Sequence, residues 1–385
     1  MNVAHSLPPT LDVVIVGAGF CGLSAAAALK TYGVESLAVC EAGAGPGSFW
    51  MGNYDRIHLH SPWHDLPADG GLGSTYSMYK AGHEVVRYLG AYAAHHQLMP
   101  LVHTHTPVTQ LSRDGSASHP WRVVTSRGEC LARHAVVATS ACRVPWRPEI
   151  ADSEAFRGSV LHSRDYRNSG PFAGKTVVVV GSGNSAAEIA LDLVQGGADS
   201  VTMVAKGARH FMAIGAFKYI GKIARPLGIL GPRQVRKLHP ITFDSKKYWS
   251  KLRSFDKMMG RFCQDLSAHG IPKPALGPGE ESVRSGRIGV IDVGAIKAIR
   301  GGAIAVRSGH VAAFTTDGIT LDSGAQLAAD AVILATGFRH GLGEFLANTD
   351  QLLGPLLQWC EPMPLTDKRC RSQVHPDLWF VGWEL

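Results

Sequence analysis

Two short glycine-rich stretches are the residues in this sequence best suited to chemistry. The first is Gly17-Ala18-Gly19-Phe20-Cys21-Gly22 and the second is Gly181-Ser182-Gly183-Asn184-Ser185-Ala186. Each follows an apolar run. In such a turn the first glycine permits the tight bend and the second lets the backbone approach a pyrophosphate. The third, or Ala186 in its place, lets helix and strand pack closely. The N-terminus of the following helix then stabilises the phosphate charge. Glu41 lies 24 residues after Gly17 and ends the next apolar run. A carboxylate there accepts hydrogen bonds from a ribose diol. No acid stands at the same distance from Gly181. Ala205 is followed instead by Lys206 and, three residues further, Arg209. Cations suit a ribose 2′-phosphate, which a carboxylate would repel, so the second site reads as NADP. The alternative for Lys206 is a solvated charge at a strand end. Two dinucleotide sites in one chain imply an electron relay between a resident FAD and a nicotinamide cofactor, NADPH, that reduces it.

These turns need strands before them and helices behind them. Asp12–Val16 reads as a buried parallel strand, Ser24–Lys30 as a helix and Leu37–Cys40 as a second strand. The plan repeats with strand Thr176–Val180, helix Ser185–Val194 and strand Val201–Val204. A further strand, Ala331–Leu334, runs into Ala335-Thr336-Gly337. The fold class expected is α/β, with two Rossmann-like dinucleotide-binding domains and the NADPH domain inserted into the FAD domain. Residues 1–169 form the first part of the FAD domain, 170–325 the NADPH domain, and 326–385 the segment returning to the FAD domain. Val144–Glu149 and Ser169–Gly174 read as linkers, and 210–285 as short helices and loops.

Composition narrows the field. A chain of 385 residues suits two domains. With 45% apolar and 18% charged residues it is neither disordered nor collagen-like. The net charge of +7 is uneven, because residues 206–261 hold fourteen Lys and Arg against two acids. A local block of this kind suits one anionic ligand or surface rather than a nucleic acid. Contact of this block with a membrane surface, using Phe211–Leu230, and formation of a homo-oligomer both stay open. The seven cysteines are odd in number and lack Cys-x-x-Cys spacing. That argues against a disulfide framework and a zinc site, and for reduced thiols in the cytoplasm. His95-His96 and His103-Thr-His105 have no acidic or Cys partners nearby, so no metal is expected. No signal peptide or membrane-spanning run is visible.

Between the turns lies Phe156-x-Gly158-x-x-x-His162-x-x-x-Tyr166. This resembles the identifying motif of the class B flavin-containing monooxygenases. The run from Gly181 to Glu188 resembles that family's NADPH turn, and Ala335-Thr336-Gly337-Phe338 its Ala-Thr-Gly-aromatic strand end. Trp50-x-x-x-Tyr54-Asp55-Arg56-Ile57-x-Leu59-His60 and Gly289-Val-Ile-Asp292-Val-Gly294-Ala295 are similar to the YUCCA-type (indole-3-pyruvate) branch. Tyr166-Arg167 points away from Baeyer–Villiger relatives, which carry Trp at the first of these positions.

The resemblance implies an NADPH-dependent FAD monooxygenase that forms a flavin hydroperoxide from O2 and oxygenates a small organic substrate. Oxidative decarboxylation of an aromatic 2-oxo acid is one such reaction. N- or S-oxygenation, Baeyer–Villiger chemistry, or an uncoupled or non-catalytic FAD- and NADPH-binding protein are the alternatives. It implies FAD contacts from Gly17, Gly19, Phe20, Cys21, Gly22, Glu41, Trp50, Val108, Thr139 and Gly337. NADPH contacts would come from Gly181, Gly183, Asn184, Ser185, Glu188, Lys206, Arg209 and Thr336. Phe156, Gly158, His162 and Tyr166 would shape the connection between domains. His60 stands where the wider family has an Asn near the flavin, and is the catalytic candidate; the alternative is a structural histidine beside Pro62. Trp50 lies beside the flavin or simply in the core. There are two departures. Ser140 follows Ala138-Thr139 where the family has Gly, and relatives continue past this terminus into a helix facing the flavin, so the chain is expected to be about one helix short.

Overall fold

The run Thr10–Val16, rich in β-branched residues, forms strand β1, and the structure around it is a computed structural model describing residues 7–60, 76–77, 79–213, 215, 246–358, 361–367 and 369–383. The chain divides into two units. One is built within residues 1–52, 58–144 and 339–384, and the other within 53–57 and 145–338.

In the first unit β1 leads into helix α1 (Phe20–Thr31) and strand β2 (Leu37–Cys40). Short helix α2 (Ser48–Met51) and helix α3 (Gly82–His95) precede strand β3 (Val102–His103). Strands β4 (Val108–Ser112) and β5 (Trp121–Thr125) form an antiparallel meander with the start of β6 (Gly128–Val137). The far half of β6 pairs in parallel with β1 and with Leu378–Phe380. The parallel order is therefore β3, β2, β1, β6, then 378–380. Val14, Ile15, Val39 and Val137 are fully buried, as a parallel sheet covered on both faces requires. Asp377 anchors the returning strand. It accepts from Arg113 Nη2 (2.9 Å) and from the Trp121 indole N–H (3.0 Å).

The second unit repeats this plan. Thr176–Val180, helix α4 (Asn184–Gln195) and Ser200–Ala205 form the β-α-β core. The parallel order is 305–308, 200–205, 176–180, 331–334, 159–162. A three-stranded antiparallel meander, 311–328, again connects the outer strand to its return. The strand Ala331–Leu334, expected in the segment returning to the first domain, belongs to this second sheet. It pairs with Thr176–Val180 on one side and Ser159–His162 on the other. A short, wholly apolar strand must lie inside a sheet, but its apolarity does not say which of two sheets takes it. The strand Ser159–His162, which precedes residue 170, is likewise part of this unit.

Residues 246–259 form one fourteen-residue helix where short helices and loops are expected. Its buried residues Leu252, Asp256 and Met259 recur at helical spacing. The Asp256 carboxylate receives the N–H groups of Gly279 (2.6 Å) and Glu280 (2.9 Å), capping the helix Pro278–Ser285. The region 216–245, with six of the fourteen cations of the basic stretch and most of Phe211–Leu230, lies outside the described residues.

Ser140 occupies the left-handed region, with φ +66°, and the corresponding Gly337 has φ +96°. An L-residue pays about 1–2 kcal/mol for this conformation. Some return comes from the Ser140 Oγ, which accepts the Cys142 N–H at 3.3 Å. Ser140→Gly should stabilise the protein by about 0.5–1 kcal/mol, after the entropy glycine adds to the unfolded chain. Urea unfolding checks this, and a destabilised variant would show that the Cys142 bond outweighs the strain.

Candidate functional site

The first glycine turn closes the C-terminal end of β1. Gly17 has φ +105°, and a Cβ there would stand 2.8 Å from the Ala138 carbonyl oxygen at the end of β6. A Cβ on Gly22 would run into the Gly17 carbonyl. Both glycines are thus required by the protein's own packing. Gly19 differs: its φ is −83° and a Cβ would meet nothing within 4 Å among the described residues. The fold leaves open space in front of this backbone at the start of α1, the arrangement a pyrophosphate needs.

Glu41, just past β2, accepts the Ala18 N–H on Oε2 and the Gly43 N–H on Oε1, each at 2.8 Å. It braces the turn, and each oxygen keeps a lone pair for a ribose hydroxyl. The Thr139 hydroxyl is buried with no hydrogen-bond partner among the described residues, and its Cα is 3.6 Å from a Gly17 Cβ. An orphaned hydroxyl beside the turn fits a ligand that supplies the missing partner. Phe20 opens α1 and meets Trp50 edge-on (centroids 6.4 Å, 88°). Cys21 lies against Gly382, a position with φ +82°. Val108 follows two residues after Thr106, whose N–H donates to the Glu41 carbonyl. The residues of this unit thus fit FAD. Gly337, expected among the FAD contacts, lies in the second unit.

The second turn has the same logic. Gly181, with φ +139°, is wedged against the Ala335 carbonyl, and a Cβ on Gly183 would meet nothing within 4 Å among the described residues. The Asn184 side chain is occupied internally, accepting the Ile291 N–H (2.8 Å) and donating to the Gly289 carbonyl (3.5 Å). The side chain thus ties the start of α4 to the strand Val290–Asp292. Lys206 is exposed directly after Ala205. Arg287 Nη1 lies 4.0 Å from a Cβ on the adjacent Gly207. Arg287 is a cation that sequence reasoning missed, because it is 81 residues away from Lys206. Glu188 is only 2% exposed and accepts the Tyr54 hydroxyl at 3.0 Å. Tyr54 also bonds Ser185, so the phenol links the buried Glu188 to the start of α4. Burial and then the nearby Glu188 charge raise the Tyr54 pKa well above that of a free tyrosine.

The motif between the turns is built into the second unit. Phe156 packs on Phe314 (5.5 Å), and a Cβ on Gly158 would run into the Asp330 carbonyl. Tyr166 donates to Asp192 on α4 at 2.6 Å and stacks on Phe172. His162 donates from Nε2 to the Gly337 carbonyl (3.0 Å) and accepts the Arg164 N–H on Nδ1 (3.1 Å). The Thr336 hydroxyl donates to the Trp146 carbonyl.

Comparison with known proteins bears on this geometry. The sequence matches the family described as pyridine nucleotide-disulphide oxidoreductase over residues 14–213. It is 32% identical over 349 residues to a probable indole-3-pyruvate monooxygenase, YUCCA3, of Arabidopsis thaliana. The match covers 88% of this chain and 75% of the relative. The structure is similar to a flavin-containing monooxygenase from Stenotrophomonas maltophilia, with TM-score 0.66 and 25% identity, over 98% of this chain and 91% of the other. An oxidised steroid monooxygenase bound to NADP shares the fold at TM-score 0.61 and 20% identity, over 87% and 72% of the two chains.

The chain belongs to the class B flavin-containing monooxygenases. It is a flavin-dependent monooxygenase, and FAD and NADP(H) are its cofactors by family membership. Its α/β fold with two Rossmann-like domains is that of the family. Among the described residues of this monooxygenase no helix is long and apolar enough to cross a membrane, and no group of His, Cys, Asp and Glu could hold a metal ion. The structure places His60 in the first unit, immediately after Leu59, whose N–H donates to the Lys80 carbonyl (2.7 Å). Residues 61–75, which follow His60, lie outside the described residues.

The His162 pairing has a measurable consequence. Burial lowers its pKa, the Gly337 bond opposes this, and Arg147 and Arg164 add to the lowering. A proton on Nδ1 would face the Arg164 N–H. The folded-state pKa is thus below the unfolded value of about 6.5. This contribution to stability is complete above that pH and is lost as pH falls through the folded pKa. His162→Gln should therefore flatten the fall of Tm between about pH 7 and pH 5 relative to wild type. Parallel curves for the two proteins would contradict it.

Proposed function

We propose that the first glycine turn of this monooxygenase holds FAD, that the second holds NADPH, and that the substrate is an aromatic 2-oxo acid of the indole-3-pyruvate kind. The observation that carries the cofactor reading is the pair Gly19 and Gly183. Neither has a positive φ, and neither is crowded by any of the described residues. Each stands immediately before a helix that follows a parallel strand, where a side chain would separate a bound pyrophosphate from the backbone. Support for the substrate class is the likeness to indole-3-pyruvate monooxygenases at 32% identity.

When bound, FAD would supply the redox chemistry that activates O2, and NADPH the reducing equivalents. Everything else falls to the chain. Gly19 and the first N–H groups of α1 receive one pyrophosphate, and Glu41 receives the adenosine ribose while holding Ala18 and Gly43 in place. Thr139 gains the partner it lacks. Gly183 and the start of α4 receive the second pyrophosphate, backed by Tyr54, Ser185 and Glu188. Lys206, Arg209 and Arg287 neutralise the 2′-phosphate. His60 donates or accepts a hydrogen bond near the reacting atoms.

Two measurements test this reading. Lys206→Ala combined with Arg209→Ala should raise KM for NADPH at least tenfold while leaving KM for NADH within about twofold, because only NADPH carries the 2′-phosphate. Equal effects on both would sink the NADPH assignment. For the substrate, NADPH consumption by FAD-loaded protein should rise with aromatic 2-oxo acids, yielding CO2 and the acid one carbon shorter. Turnover confined to amines or thioethers, or NADPH consumption yielding only hydrogen peroxide with every compound, would refute it.

A further inference from the structure

We propose that the Ser163 hydroxyl is a hydrogen-bond contact for the nicotinamide half of NADP(H). The inference rests on reading the second glycine turn as the NADPH site. Ser163 is 2% exposed, and its Oγ is buried without a hydrogen-bond partner among the described residues. Native proteins seldom leave a buried hydroxyl unpaired, and one that persists calls for a ligand or a function.

Its place in the sheet says which ligand. The Ser163 N–H donates to the Leu334 carbonyl at 2.9 Å, and Leu334 is in register with both His162 and Val180. Ser163, Ala335 and Gly181 therefore form the first row beyond the C-terminal ends of three adjacent parallel strands. Ligands of open α/β sheets lie across that edge. The direction in which the cofactor lies follows from charge. Lys206 ends the strand on one flank of Thr176–Val180, which commits the adenosine 2′-phosphate to that side. The pyrophosphate sits over Gly181–Asn184. The nicotinamide half then extends over the opposite flank, strands 331–334 and 159–162, where Ser163 is.

Two other polar side chains on that flank are already bonded. Both His162 nitrogens are bonded, and the Thr336 hydroxyl is given to Trp146. The Ser163 hydroxyl can both donate and accept, which suits either a carboxamide or a ribose hydroxyl of the nicotinamide half.

The test is Ser163→Ala in FAD-loaded protein. Tm is measured without nicotinamide cofactor, and Kd is measured for NADP+ and for 2′,5′-ADP, which has the 2′-phosphate but no nicotinamide. Removing an unpaired hydroxyl should leave the cofactor-free Tm unchanged or raised. The Kd for NADP+ should rise roughly three- to tenfold, the loss of one hydrogen bond, while the Kd for 2′,5′-ADP stays within about twofold. A lowered cofactor-free Tm, an unchanged NADP+ Kd, or equal weakening of both ligands would overturn the proposal. Lys206→Ala in parallel should weaken both ligands. If it weakens neither, the NADPH reading of the turn fails, and this inference with it.

Discussion

Each glycine turn is wedged against a carbonyl oxygen of the neighbouring parallel strand, Ala138 for Gly17 and Ala335 for Gly181. No side chain fits between turn and strand, so the backbone must bend in the region with φ above +100° that only glycine adopts readily. That bend delivers the next residues to the edge of the sheet as the start of a helix. The open space before Gly19 and Gly183, the brace of Glu41 and the backing of Tyr54 and Glu188 all depend on it. The two units use the same device with the same parallel strand order, although the outermost strand of the second sheet comes first in the chain and that of the first sheet comes last.

The turns and their flanking elements were legible in the sequence because local rules govern them. Leu37–Cys40, Thr176–Val180 and Ala331–Leu334 read as strands over the same residues that the structure pairs. What was not legible is partnership at long range. The apolar run Ala331–Leu334 carries no mark that assigns it to the second sheet. Tyr54 meets Glu188 across 134 residues, and Arg287 approaches Gly207 across 80. Spacing along the chain reports one helix face or one strand edge at a time. It reports nothing about which turn a distant cation or phenol will reach.

The motif running from Phe156 to Tyr166 illustrates how a family signature becomes architecture. Its aromatic and glycine residues pack the edge of the second unit, Tyr166 ties Asp192 of α4, and His162 ties the left-handed Gly337. None of these side chains needs to react. Their effect is to hold α4 and the Ala335-Thr336-Gly337 strand end in fixed positions, which sets where the second turn presents its backbone. Ser140 marks the equivalent strand end in the first unit and keeps the left-handed conformation without glycine. The backbone path at that position is therefore set by the sheet and the turn packed on it, and the residue type adapts at a cost.

The central claim is that the glycines opening α1 and α4, crowded by nothing among the described residues, are kept for two different ligands. Its most direct test is Gly19→Ala beside Gly183→Ala, with FAD content, melting temperature and reduction by NADPH measured on both. The account expects Gly19→Ala to fold with its Tm as apoprotein unchanged but to lose most of its FAD. Gly183→Ala should stay yellow and lose reduction by NADPH. Retention of full FAD content by Gly19→Ala, or loss of FAD rather than NADPH reduction in Gly183→Ala, would contradict it.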